Sequence, residues 1–364
     1  MPPIQIIMSI LAPFGVAAAS VPQIGEIQTY KDWVVGCDNG GICQAVSLVP
    51  DQGGSGYDGW DGPVTIVRSP DQQGTLKIRV LIEAKEIDRY QMYVDGKLVD
   101  TGPIVLGDYP IEIVGTDAIK VADALINGNE MVVKQPDGKV ITTISLAGSS
   151  AALRYMDAQQ RRVGTPTALV AKGRSAFAPA STTIPNIPVD RWEESNLVPA
   201  PEDLIAFAEA SACKNDRYGV LEDKAYALGK RGNISRALVL VSCGSGAYNF
   251  SSAPFVAEYV ENGRATRDWT FKPARFDRQP SWGGEGVAPL LINAGWDERN
   301  QTLSSYAKGR GLGDCGNAEN YVWDGEMFRL IDAIAMDECR GSHFWITVWR
   351  AKYHQLTETA SIAK

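Results

Sequence analysis

Six cysteines, no two of them spaced C-x-x-C, set the terms on which this chain of 364 residues can fold. Without that spacing there is neither a zinc ribbon nor a thioredoxin-type redox motif. Position suggests the pairing. Cys37 and Cys43 flank Asp38-Asn39-Gly40-Gly41-Ile42. An odd-length hairpin loop centred on Gly40 sets them directly opposite, within bridging reach. Cys213 with Cys243 and Cys315 with Cys339 complete the set if each bridge stays inside one domain. In the chain-entropy model each longer loop contributes about 3.5 kcal/mol, and the short one less. The competing possibility is six free buried thiols in a cytosolic protein.

The last pair encloses the densest run of signals, KGRGLGDCGNAENYVWDGEMFRLIDAIAMDECRG over 308–341. Asp324-Gly325 between YVW and EMFRL predicts a two-residue hairpin turn, because glycine accepts positive φ without a Cβ clash. Gly309, Gly311 and Gly313 precede it. Held in one shape by the bridge, 309–316 could present backbone N–H groups with Arg310 to an acidic peptide or carboxylated sugar. The simpler alternative is that the glycines only allow tight turns around a packed disulfide.

The first residues read as a secretory signal over 1–19: Ile4 to Val16 is apolar, and Ala17-Ala18-Ala19 fits a small-x-small cleavage site, the alternative being a buried or disordered N-terminal segment. Pro13 and the short length argue against a membrane span, so no transmembrane anchor is expected in the mature chain. A net charge of -8 without a basic run excludes a general phosphate-backbone binder, and no nucleic-acid partner is expected.

Beyond the first hairpin, short β-branched runs dominate: 64–69, 76–84, 89–94 and 97–99, with turns at Asp95-Gly96 and Pro136-Asp137-Gly138. Thr116 or Asp117 can cap a helix carrying Ile119, Ala122, Leu125 and Ile126 on one face and ended by Gly128. A second helix over 150–160 would use Ala151, Leu153 and Met156. Residues 27–173 thus read as a β-sandwich domain with a short helix or two. Pro179, Pro185, Pro188 and Pro199 mark 174–200 as a linker, with Trp192 an anchor rather than a ligand platform. Residues 201–364 read as an antiparallel β domain opened by a helix with Leu204, Ile205, Phe207 and Ala208 on its apolar face. Its strand runs are 236–243, 255–261, one through Trp269-Thr270-Phe271, 289–296, 301–307 and 344–353. The expected class is mainly β (α+β): two disulfide-stapled antiparallel domains joined by a Pro-rich linker.

No catalytic set assembles. Trp-Asp at 60–61, 296–297 and 323–324 lacks the period of about 40–45 residues that a WD propeller needs. His343 and His354 are the only histidines, and Gly244-Ser245-Gly246 lacks the rest of a nucleophile elbow. Sugar hydrolysis needs only two carboxylates about 5–10 Å apart, with Asp58, Asp61, Glu285, Asp297 and Asp324 as candidates. All lie near turns, where acidic residues are common anyway. Asp51, Asp58 and Asp61 do not form an EF-hand, and neither metal nor cofactor is expected. Trp60 and Trp282 sit among glycines at 53–62 and 278–286. They are candidate sugar-stacking rings, or else plugs at the ends of sandwiches.

KDWVVGCDNGGICQA near the start and KGRGLGDCG…YVWDGEMFRL…DECRG near the end resemble the DUF1176 family, exported bacterial proteins of unassigned function. The D-W-x-x-x-C start and ADALINGNE…ITTISLAGSSAAL are also similar to the invasion-associated locus B proteins, a secreted β-rich family. Neither resemblance brings catalytic residues. Together they imply a periplasmic or secreted protein of a Gram-negative bacterium. The expected role is binding an envelope protein or glycan, with carboxylate-based hydrolysis of cell-wall or extracellular sugars as the alternative.

Overall fold

The fold is that of a computed structural model, which describes residues 21–50, 62–82, 89–101, 104–105, 111–215, 218–219, 222–263, 268–281 and 289–356. The expected signal at 1–19 lies outside them. The fold is mostly β, and nearly every pairing is antiparallel.

The first part begins with β1 (Ile27–Tyr30), β2 (Trp33–Cys37), β3 (Cys43–Ser47), β4 (Val64–Arg68) and β5 (Leu76–Val80). Next come β6 (Arg89–Val94), β7 (Lys97–Leu98), β8 (Ile104–Val105), β9 (Ile111–Val114), α1 (Gly115–Asn127), β10 (Glu130–Lys134), β11 (Val140–Ser145) and α2 (Ser149–Gln159). One six-stranded sheet runs β1-β2-β3-β4-β5-β9, and a second runs β11-β10-β6-β7 with β8 beside β6. Both helices lie on the six-stranded sheet and share a core with the second sheet, so the layers are helix and sheet together rather than two bare sheets.

Helix α1 buries Ala118, Val121, Ala122 and Leu125, while Ile119 is 46% exposed. The buried stripe therefore lies one residue off the expected face, on i, i+3, i+4 and i+7. No side chain caps it; Val114 is the cap residue. Helix α2 buries Ala152 in place of Ala151, beside Leu153 and Met156. Its Asp157 is buried and accepts the N–H of Leu169 (2.8 Å) and of Val170 (2.9 Å) and a bond from Arg68 at 2.6 Å. Asp95 and Gly96 both take positive φ in a two-residue turn between Val94 and Lys97, as that dipeptide favours.

The proline-rich stretch carries β12 (Asn186–Val189). After it come α3 (Pro201–Ala210), β13 (Lys224–Arg231), β14 (Ile234–Ser245), β15 (Phe250–Val260), β16 (Thr270–Pro273), β17 (Leu291–Ile292) and β18 (Gly295–Asp297). The chain ends with β19 (Thr302–Lys308), β20 (Gly316–Trp323), β21 (Phe328–Met336), β22 (Ile346–Arg350) and β23 (Lys352–Gln355). One sheet runs β13-β14-β15-β16 with β17 on β15, another β18 to β22 in chain order, and β12 pairs with β23 in parallel. So 174–200 is more than a tether: it adds a strand to the far end of the chain. Helix α3 buries Leu204 and Ala208, Phe207 stacks on Phe271 at 4.1 Å, and Ile205 is 56% exposed.

Three disulfides close, Cys37–Cys43, Cys213–Cys243 and Cys315–Cys339. Cys37 faces Cys43 across the β2–β3 ladder, as the hairpin argument requires. The Asp324-Gly325 signal marks the right place but a longer turn. Trp323 pairs with Phe328, and Asp324 N–H bonds Met327 C=O, which leaves four residues in the loop. The Asp324 carboxylate selects that loop by accepting the N–H of both Glu326 and Met327 at 2.8 Å.

The two parts share a core. Trp33 and Val35 of β2 face the helices, whereas Val34 of β2, Val46 of β3 and Leu48 just beyond it join a cluster with Tyr321, Phe328, Ile346 and Val348. Arg340 spans the junction, donating to Val49 C=O (2.8 Å), Lys31 C=O (2.7 Å) and Asp32 Oδ1 (2.5 Å). Arg350 pairs with buried Asp38 and exchanges two 2.8 Å bonds with the Asn39 side chain.

Candidate functional site

The sequence candidates do not come together. Trp60 and Trp282 lie outside the described residues, as do Asp51, Asp58, Asp61 and Glu285. Arg310 meets a carboxylate, but the chain's own: its Nε and Nη2 reach Asp314 at 2.7 and 2.5 Å. Asp314 is 1% exposed and also accepts Gly341 N–H at 2.7 Å. Burial pushes its carboxyl up, yet Arg310 and Gly341 outweigh burial and hold it below the usual carboxylate range. Gly309 N–H bonds Cys315 C=O and Gly313 N–H bonds Arg310 C=O, so those two amides are committed within the loop. Asp297 caps Asn300 (3.0 Å to its N–H), and Asp324 caps its own turn and pairs with Arg329 at 2.6 Å. Among the described residues, no three His, Cys, Asp or Glu side chains gather as a metal site would require.

The described surface offers instead a cleft of about 760 Å³ where the proline-rich stretch passes the edge of β13. Its construction starts at β12. Beyond Val189, Asp190 N–H bonds Asp324 C=O at 3.0 Å, and the Asp190 carboxylate pairs with Arg231 at 2.6 Å. Gly325 makes this approach possible, since a Cβ there would stand 2.6 Å from Asp190 C=O. Arg191 donates to Asn300 C=O at 2.8 Å and ties the strand end to the 298–301 turn. Trp192 comes next, with the guanidinium groups of Arg231 and Arg236 over its ring at 4.9 and 4.4 Å. Arg236 is itself fixed by Glu258 (2.9 Å) and Gly325 C=O (2.9 Å). Trp192 is therefore an anchor clamped by cation–π contacts.

Glu193 then makes one antiparallel bridge with Lys230. Gly229 allows it: its φ is +122°, and a Cβ would lie 2.7 Å from Trp192 Cβ. From Glu194 the chain leaves β13 for α3, and the gap is the cleft. Its floor is Ala225, Tyr226, Ala227 and Gly229; its walls are 194–198 and 298–301, with Gln355 at one end. Trp192 Nε1 and Gln301 Oε1 are buried there without a hydrogen-bond partner among the described residues. The lining is mostly polar, with Val198, Ala225 and Ala227 as its aliphatic part, and the volume falls within the range of about 300–1,000 Å³ that ligand pockets span.

The sequence carried one signal for this site that composition hides. Trp192 interrupts the polar, proline-rich run and is succeeded by Glu193-Glu194. Only the pairing of Glu193 with β13, a contact with no sequence periodicity, shows what it anchors.

The comparisons with known proteins concern most of the chain. The uncharacterized protein YpfG of Escherichia coli (strain K12) is 32% identical over 228 residues, which is 58% of this chain and 63% of that relative, so the match spans less than two thirds of its length. The likeness to the invasion-associated locus B proteins is not carried by either match. A family described as a protein of unknown function, DUF1176, matches residues 27–352, and the chain belongs to that family.

Proposed function

We propose that this chain is an exported binding protein of the cell envelope, and that its ligand seats in the cleft beside β13. The observation that carries this is the cleft itself: about 760 Å³, floored by a strand edge and walled by a stretch whose Trp192 is locked in place. A preformed site of fixed shape avoids the ordering cost of binding. Three disulfides fit an oxidising compartment, and the apolar start with Ala17-Ala18-Ala19 fits export. Among the described residues no helix is long and apolar enough to cross a membrane.

The alternative, carboxylate-based hydrolysis of sugars, has one observation in its favour: Glu194 and Glu298 line the same cleft from different segments. Both are exposed, and among the described residues no group shields them from water as a general acid requires.

Capture from periplasmic extract, read by mass spectrometry, tests the binding reading. The full chain should retain a defined partner or glycan set. Asn196→Trp, which narrows the cleft from its exposed rim, should lose that set at an unchanged melting temperature. Identical capture by both chains would refute the site. For export, protein from the periplasmic fraction should begin after Ala19; recovery only from the cytosol with residues 1–19 intact would refute it.

A further inference from the structure

The cleft is a gap in strand pairing. β13 is the outer strand of its sheet. On its open side Glu193 N–H bonds Lys230 C=O at 3.0 Å and Lys230 N–H bonds Glu193 C=O at 2.9 Å. An antiparallel strand continuing from Glu193 would run along β13 toward Lys224. The chain leaves instead, and among the described residues no strand pairs with the outer edge of 224–229.

The register shows which groups are left over. Lys230 faces outward, as its bridge requires. The ladder to β14 steps from Gly229–Arg236 to Ala227–Ala237, with Leu228 as the extra residue of a bulge. A bulge shifts the alternation by one, so counting by twos beyond it turns the N–H and C=O of Ala227 and Ala225 outward. Both residues line the cleft. Unpaired edge groups are a template for another strand, and Ala225, Ala227 and Gly229 are small enough to let a second backbone come close.

We propose that the cleft takes an extended segment of a partner polypeptide, added to β13 as an antiparallel strand where Glu193 departs. This rests on the binding reading above and names the class of ligand. Strand addition draws affinity from main-chain bonds and selectivity from alternate side chains. A glycan fits less well: the wall aromatic, Trp192, already has two guanidinium groups over its ring. The rim mixes Arg299 with Glu194 and Glu298, so charge selects neither an acidic nor a basic peptide. Main-chain recognition does not need it to.

A random-peptide display library panned against the full chain supplies the probe. A recovered peptide should bind the wild type and bind Ala225→Pro at least about tenfold more weakly, a loss of about 1.4 kcal/mol. Proline is tolerated on an edge where the N–H faces outward, so the melting temperature should hold. Methylating the peptide's backbone nitrogens at one alternating set of residues should abolish binding, and methylating the other set should not. Amide exchange at Ala225 and Ala227 should slow in the complex. Recovery of no binding peptide, equal affinity for Ala225→Pro, or equal tolerance of both methylated sets overturns strand addition. If Ala225→Pro does not fold, the two methylated peptides decide. Should strand addition fail while Asn196→Trp still abolishes capture, the cleft binds a ligand that is not a peptide strand.

Discussion

Single side chains in this protein mostly answer to charges buried on the chain itself. Arg310 is the plainest case, since its removal leaves the buried Asp314 carboxylate without its charged partner and with backbone N–H groups, that of Gly341 foremost, to satisfy it. Arg310→Ala should cost about 1–3 kcal/mol of stability at neutral pH, as loss of a charged hydrogen bond to a buried group does. The depressed Asp314 carboxyl sets the pH window. Its contribution is present above the ordinary carboxylate pKa and lost as pH falls through the lower folded value, so the mutant and wild type should converge in acid. Melting curves against pH read this, and a mutant as stable as wild type at neutral pH contradicts it. Asp277 behaves oppositely. Burial raises its carboxyl, outweighing the Leu330 N–H that it accepts at 2.9 Å. A raised carboxyl withdraws stability as pH rises from the ordinary value through the folded one. Asp277→Asn keeps an oxygen for Leu330, so it should melt higher than wild type near neutral pH and lose that advantage in acid. A mutant that melts lower throughout would contradict the role given to burial. Neither Asp314 nor Asp277 stood out in the sequence, because burial is decided by the packing of the folded chain.

Among the elements, those read correctly from sequence are the ones whose signals are local. Cys37 and Cys43 flank their own turn, Asp95-Gly96 makes its own hairpin, and Pro201 opens α3 ahead of two acidic residues. Non-local pairing accounts for the misses. Ile119 and Ile205 look like core residues on a helical wheel but face solvent, because the sheet beneath each helix chooses the face. The runs WVV in β2 and ALVLV in β14 are continuous rather than alternating, the signature of a strand buried on both faces. In β14, Val239 and Val241 pack toward α3 while Leu238 and Leu240 pack into the shared core. Two substitutions probe how elements are fixed to one another. Asp157→Ala would strip α2 of its tie to buried Arg68 and to the 169–170 backbone, at about 3–5 kcal/mol in denaturant unfolding. A loss under about 1 kcal/mol would mean that the network is dispensable. Gly229→Ala, at φ +122° and against Trp192, should cost about 1–3 kcal/mol and release Glu193 from β13, seen as faster amide exchange at Lys230. Unchanged exchange there would contradict the role of Gly229.

At the scale of the molecule, the expectation of two bodies on a proline-rich tether meets a more continuous structure. Val34, Val46 and Leu48 of the first part lie in one cluster with Ile346 and Val348 of the last, and Arg340 and Arg350 bond across the junction. The segment 174–200 contributes β12 to β23, Trp192 to the clamp and 194–198 to a wall of the cleft. The family match over 27–352 runs through all three. The cleft therefore draws on the middle and the far end of the chain: β12, which leads into Trp192, pairs with β23, and Gln355 of β23 lines the cleft itself. Native-state hydrogen exchange across a denaturant series tests the shared core most directly. The amides of β2, β3 and β22 should merge into a single opening with a common free energy and denaturant slope. Exchange of β22 in an opening that leaves β2 and β3 protected would contradict the shared core and return the molecule to two independent domains.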